Sequence, residues 1–128
     1  MTRDVQAGDE RPLFWIRSSL KDLRALPAEA QEHIGYALSA AQHGGKNPNA
    51  KPWKGDGPGV LEVVEDYRGD TFRAVYMVRF IEAVYVLHVF QKKSTKGIAT
   101  SQADRELIAR RLKDAIEEHE ERYGKGED

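Results

Sequence analysis

The chain has 128 residues, 40% of them hydrophobic, with 20 Lys/Arg against 21 Asp/Glu, which is enough for one ordinary globular domain with a real core and too little for two. It contains no cysteine, which excludes a disulfide framework, a thiol nucleophile and a thiolate zinc site, and it has no run of the roughly 20 apolar residues that a membrane span needs. The formal charge of −1 hides a division: residues 42–59 carry +2, residues 68–96 carry +4 and residues 101–128 carry −3, a polarity suited to meeting a phosphate backbone with one side only. The expectation is a single domain over 1–128, with residues 1–10 and 124–128 frayed. MTRDVQAGDERP at the start lacks the apolar stretch of a signal peptide, so the expected location is the cytoplasm.

Arg11 to Ile16 (RPLFWI) is short and apolar and is expected to be a strand that joins a sheet. Ser18 or Ser19 then caps a helix, with Asp22 in a box-like position and Leu20, Leu23 and Leu26 on one stripe. Pro27 ends that helix and opens the next. Ala30, Ile34, Ala37, Leu38 and Ala41 recur at helical spacing until Gly44 and Gly45 stop the pattern. His43 to Gly59 is a long Gly/Pro connector without periodicity, of the kind that is usually functional or mobile. It holds Lys46, Lys51 and Lys54 with Trp53 among them, a mixture suited to phosphate contacts and base stacking. The other reading of Trp53 is that it plugs the edge of the core.

Val60 to Glu65 is the next strand, and a turn centred on Arg68-Gly69 leads into the stretch around which the chain is organised, DTFRAVYMVRFIEAVYVLHVFQKKSTK. In its first half Phe72, Ala74, Tyr76, Val78 and Phe80 alternate with Arg73, Val75, Met77 and Arg79, the period of a strand between two different surroundings. Its second half, Ala83 to Gln91, is rich in β-branched and aromatic residues that suit a buried strand. A two-residue turn at Ile81-Glu82 pairs Arg73 with Phe90 and Val75 with His88. Arg73, His88 and Lys92 then share one face with Glu62, because side chains directly across an antiparallel pair point the same way. Phe72, Ala74, Tyr76, Val78, Tyr85, Leu87 and Val89 form the opposite, apolar face, expected to be the one the helices cover. Ser101 caps the last helix, with Asp104 at the box position. Leu107, Ile108, Leu112, Ala115, Ile116 and Tyr123 mark its buried side, and EEHEER its solvated one. The expected fold class is α+β: strand, two helices, a three-strand meander and a C-terminal helix, with all helices on one face of a mainly antiparallel sheet.

The common motifs for acyl transfer, zinc hydrolysis and nucleotide binding are absent, and His33, His43, His88 and His119 show no metal-ligand spacing. What remains is Arg73, His88, Lys92, Lys93 and Lys96 with Glu62 across the sheet and Lys51 and Lys54 beside it. Such a group is competent to cleave RNA without a metal, since attack of a 2′-OH on the adjacent phosphate needs a proton acceptor and cations to stabilise the developing charge. The bland alternative is a solvent-facing strand arginine, a semi-buried histidine and lysines guarding a sheet edge.

KPWKGDGPGVLEVVEDYRGDTFRAVYMVRF, VYVLHVFQKKSTKGIATSQADRELIARRLKDA and the earlier FWIRSSLKDLRALP together resemble the RelE/ParE superfamily of bacterial toxins, in its HigB-like, phage-derived branch, over about residues 12–118. The resemblance implies a RelE-like fold and a metal-independent mRNA endonuclease, ribosome-associated or free, that needs no cofactor and is held inactive by a helix-turn-helix, HigA-like antitoxin. It places Arg73 at the scissile phosphate, makes Lys92, Lys93 and Lys96 the basic cluster after the last strand, and matches Glu62 to a glutamate of the branch. RelE-type enzymes have strand lysines where this chain has Glu62 and Val64, and a C-terminal tyrosine base without a counterpart near Ser101, so Glu62 and His88 are the candidate bases. Catalysis is thus expected from Arg73, Lys92, Glu62 and His88, and RNA binding from Lys51, Trp53, Lys54, Arg79, Lys93 and Lys96. The runner-up is a non-catalytic module of the same fold, a gyrase inhibitor or an inactive toxin kept as an antitoxin partner.

Overall fold

Residues 10–92 and 100–124 are described by a computed structural model. The expected order of elements is present with one addition: β1 (Leu13–Trp15), α1 (Ser19–Arg24), α2 (Ala28–Gln42), β2 (Ala50–Pro52), β3 (Val60–Tyr67), β4 (Asp70–Met77), β5 (Val84–Lys92) and α3 (Gln102–Tyr123). The strands form one sheet in the order β1-β5-β4-β3-β2. Only β1 runs parallel to its neighbour, matching Leu13 to Val84 and Trp15 to Val86, so the class is α+β with a mainly antiparallel sheet. The addition, β2, lies inside the Gly/Pro connector and pairs Lys51 with Glu62. Three residues are too few for a period, which is why composition alone leaves it a loop.

The turn between β3 and β4 falls at Arg68-Gly69, both in the left-handed region (φ 53° and 88°), with Tyr67 paired to Asp70. Such a turn matches the right-handed twist of the two strands. The connection from β4 to β5 corrects the expectation. Instead of two residues at Ile81-Glu82, residues 78–83 form the loop. The pairs Arg73 with Phe90, Ala74 with Val89 and Val75 with His88 are as expected, but the next is Tyr76 with Val86. Leu87 is therefore an extra residue, a β-bulge, and every pairing beyond it shifts by one.

The shift decides which side each residue faces. Tyr76, Val86, Val89 and Ala74 pack with Ile34, Leu38 and Ala41 of α2 and Leu23 of α1. Tyr85, Leu87, Val75 and Met77 pack instead with Ile108, Leu112 and Ala115 of α3. Helices thus cover both faces, α1 and α2 on one and α3 on the other, and the expectation of helices on one face is corrected. Tyr85 and Leu87, assigned to the α2 face, belong to the α3 face because the bulge inverts the alternation. Val84 to Val89 are accordingly all buried.

Buried polar groups hold the bulge. Arg111 of α3, 8% exposed, donates from Nη1 to the Leu87 carbonyl at 3.0 Å and from Nη2 to Ser18 Oγ at 3.1 Å. The Val86 carbonyl accepts from the backbone N–H of Ile16 at 3.0 Å and from Ser19 Oγ at 3.3 Å. Ser101 caps α3 as expected, its Oγ accepting the Asp104 N–H at 3.0 Å. Arg111→Ala should lower the unfolding free energy by about 2–3 kcal/mol, the cost of leaving a buried carbonyl unsatisfied together with lost packing. Urea denaturation reads this as a lower midpoint at unchanged slope.

Candidate functional site

Past the region that α3 covers, the same sheet face continues with polar residues. Across the ladder Lys51 stands opposite Glu62, Val64 opposite Arg73, Arg73 opposite Phe90 and Thr71 opposite Lys92, so Lys51, Glu62, Arg73 and Lys92 share one surface, as the sequence pattern implies. Arg73 Nη1 donates to Glu62 Oε1 at 2.7 Å, with side chains 13% and 10% exposed. This pair is close to buried. Arg73 is not the solvent-facing strand arginine that spacing alone suggests. The ammonium of Lys92 is held below the usual lysine range, first by partial desolvation and then by the Arg73 charge, with Glu62 opposing. Lys51 and Lys54 are exposed. The result is one carboxylate among three cations on a surface that β2 to β5 hold rigid.

His88 is placed elsewhere. It lies on the correct face but is 6% exposed, accepted at Nε2 by Asp104 Oδ1 at 2.8 Å and stacked on Phe90 with ring centres 4.4 Å apart. Asp104 in turn accepts from Ser101 Oγ at 2.9 Å. That bond holds the Nε2–H tautomer and leaves Nδ1 without a partner among the described residues. Burial, the largest influence, pushes the His88 pKa down, with Asp104 opposing. His88 is thus clamped under α3 by Asp104, its side chain 8% exposed against 10% for Glu62, so both expected bases lie near burial.

One expected RNA contact, Trp53, is corrected, and another, Arg79, is exposed but carries structural bonds. Trp53 is 4% exposed, bonded through Nε1 to Asp56 at 2.7 Å and covered by the Arg105 guanidinium 5.1 Å from its ring centre. It plugs the core, and no base can stack on it. Arg79 donates from Nε to the Pro58 carbonyl at 3.0 Å and from Nη2 to that of Asp56 at 3.2 Å. It clasps the connector, where Gly59 is required because a Cβ there would meet Arg79 Cα and Cβ at 3.0 Å. Lys93 and Lys96 lie outside the described residues.

Two groupings escape a reading by pattern. Asp104 is legible as a capping residue, yet only the fold shows that its carboxylate also holds His88. His119, expected on the solvated side of α3, is 4% exposed and lies between Tyr85 and Glu82 at 2.9 and 3.1 Å, stacked on Phe80. Burial raises the Tyr85 pKa, with Arg122 opposing. Among the described residues no cluster of His, Cys, Asp and Glu is placed to hold a metal ion, and no helix is long and apolar enough to cross a membrane.

The profile of the phage-derived Gp49-like proteins matches residues 21–113. No curated protein matches the chain. Among solved structures, an arginine-to-alanine double mutant of the E. coli toxin RelE in the free state is similar, at 18% identity with a TM-score of 0.54, covering 82% of this chain and 97% of that one. This likeness shows the fold, which is RelE-like.

Two outcomes follow from the geometry. Arg73→Met should destabilise the protein by about 2–4 kcal/mol, because Glu62 is left nearly buried without its partner, whereas Arg73→Met with Glu62→Leu should recover much of the loss; chemical denaturation of the double-mutant cycle measures both. For His88, a folded pKa below the unfolded value of about 6.5 means that stability is intact above that pH and declines as pH falls through it towards the folded value. The melting temperature of the wild type should therefore drop more steeply between pH 7 and 5 than that of His88→Gln.

Proposed function

The chain belongs to the phage-derived Gp49-like protein family, and on that premise we propose that it is the toxin of a type II toxin–antitoxin pair, an mRNA endonuclease that works at the ribosome without a metal and is silenced by a helix-turn-helix antitoxin. The observation that supports this most is the surface around Glu62. One carboxylate with Arg73 at 2.7 Å and Lys51 and Lys92 on the same face is what metal-free RNA cleavage asks for. Glu62 accepts the proton of the 2′-OH as its oxygen attacks the adjacent phosphorus. Arg73 and Lys92 stabilise the extra negative charge on the phosphate oxygens while the P–O5′ bond breaks and the departing 5′-oxygen takes a proton from water, leaving a 2′,3′-cyclic phosphate and a 5′-OH. Lys51 and Lys54 hold the flanking phosphates. The fold shared with the E. coli toxin RelE is in keeping with this reading.

The near-buried Glu62–Arg73 pair favours a second reading in one respect. Two groups that neutralise each other suit a non-catalytic binding module, a gyrase inhibitor or an inactive toxin. Induction of the chain followed by mapping of transcript ends separates the two. New 5′ ends within coding regions, absent for Glu62→Gln, are expected of the nuclease, whereas intact mRNA accompanied by a DNA-damage response overturns it. Replacing Lys51 and Lys92 together by alanine should flatten the salt dependence of single-stranded RNA binding by about 1.4 in log–log slope, two phosphate contacts at roughly 0.7 each. An unchanged slope removes these lysines from the interface.

A further inference from the structure

At the β1 edge of the sheet, away from the Glu62 surface, a groove runs along α3 that the proposed chemistry does not use. It has two hollows. The first, of about 530 Å³, is lined by Arg17, Ser18, Leu107, Arg110, Arg111, Lys113, Asp114 and Glu117, four cations against two carboxylates. The second, of about 290 Å³, is lined by Ile16, Arg17, Asp114, Glu117, Glu118 and Glu121; Asp114 is paired with Arg17 and Glu118 with Arg122, which leaves the acidic character to Glu117 and Glu121. The bond from Arg17 Nε to Asp114 Oδ2 at 3.2 Å is common to both. Arg17 reaches it from a left-handed backbone (φ 53°).

Beneath the first hollow Arg111 is buried, its two bonds go to neutral oxygens, and its Nε has no partner among the described residues. Burial and the charges of Arg17 and Arg110 lower its pKa, with Asp22 and Asp114 opposing in part. The hollow thus has four cations against two carboxylates in its lining and a buried guanidinium nitrogen without a partner among the described residues. An anion is wanted there. A nucleic-acid strand fits poorly, since phosphates running along α3 would pass from Arg110 and Lys113 straight onto Glu117, Glu118 and Glu121. A polypeptide that carries both signs fits well.

We propose that this divided groove docks a segment of the protein partner that silences the chain: an amphipathic stretch that sets a carboxylate among Arg17, Arg110 and Lys113, an apolar side chain on Leu107, and a cation against Glu117 and Glu121, Glu118 being bonded to Arg122. The identity of the partner rests on the toxin reading; the groove does not. The groove and the Glu62 surface share no lining residue, so partner docking and RNA binding are separable by substitution.

The test uses the full chain and the small DNA-binding protein encoded beside it, with affinity measured by calorimetry. The exposed residues allow charge reversal without loss of fold, verified by melting temperature. Arg110→Glu with Lys113→Glu should weaken the complex by at least about tenfold, and so should Glu117→Lys with Glu121→Lys, while Lys51→Glu with Lys54→Glu changes it by less than about twofold. Binding of single-stranded RNA should be unchanged by the two groove variants and weakened by the Lys51/Lys54 variant. Groove variants that bind the partner as the wild type does overturn the docking site and leave the toxin reading standing. Groove variants that lose RNA affinity instead make this a nucleic-acid surface and overturn it too. If the wild-type chain binds no neighbouring protein, the toxin reading fails and the docking proposal with it.

Discussion

The single extra residue in β5 decides the architecture. With Leu87 inserted, Leu87 and His88 both serve the α3 face, and the half of β5 nearest the loop changes sides relative to a regular ladder. A bulge forfeits a rung of the ladder and leaves backbone groups to be satisfied by other means. Here every element nearby supplies a donor: Arg111 from α3 to the Leu87 carbonyl, and Ile16 and Ser19 from the β1–α1 corner to that of Val86. The bulge thereby fastens both helical layers to the same two residues of the central strand.

Burial on two sides has a consequence for the surface around Glu62. α3 covers the α3 face only as far as His88, which Asp104 ties to the first turn of the helix. Beyond that turn Glu62, Arg73, Phe90 and Lys92 are left half-covered or at the margin of burial, in a setting where charges interact more strongly than in open water. Glu62 and Arg73 are bound to each other there, and Lys92 is pressed by the same guanidinium. The sheet has thus already set the positions of these charges.

Charge is apportioned along α3 in the same way. The helix is acidic in sum, yet Arg105 lies over Trp53 and Arg111 is buried in the layer below. Arg122 lies over Phe14 and pairs with Glu118; Arg110 and Lys113 line one hollow, Glu118 and Glu121 the next, and Glu117 borders both. One helix thus closes the core, anchors the bulge, clamps His88 and presents a surface of two signs.

Much of this was legible without coordinates. Ala30, Ile34, Ala37, Leu38 and Ala41 recur at 3.6-residue spacing and are buried on α2; Ser101 and Asp104 have the spacing of a cap and form one; Arg68-Gly69 has turn chemistry and turns; and the pairing of Glu62 with Val75 and of Val64 with Arg73 follows from that turn. These are local properties, settled by residues within a few positions of each other. The uninterrupted run AVYVLHVF was the visible sign that β5 is covered on both sides, since a strand with one solvated face alternates. The bulge was invisible because its backbone cost is met by Arg111 and Ser19, distant in sequence. The same separation hid Asp104 from His88, Glu82 from His119 and Arg105 from Trp53. The sequence by itself determined every element but β2, their order, the meander and the sharing of one face by Glu62, Arg73 and Lys92. Only the tertiary structure decided which helix covers which face and which charged side chains are buried, because burial of a polar group depends on partners that long-range packing alone brings near.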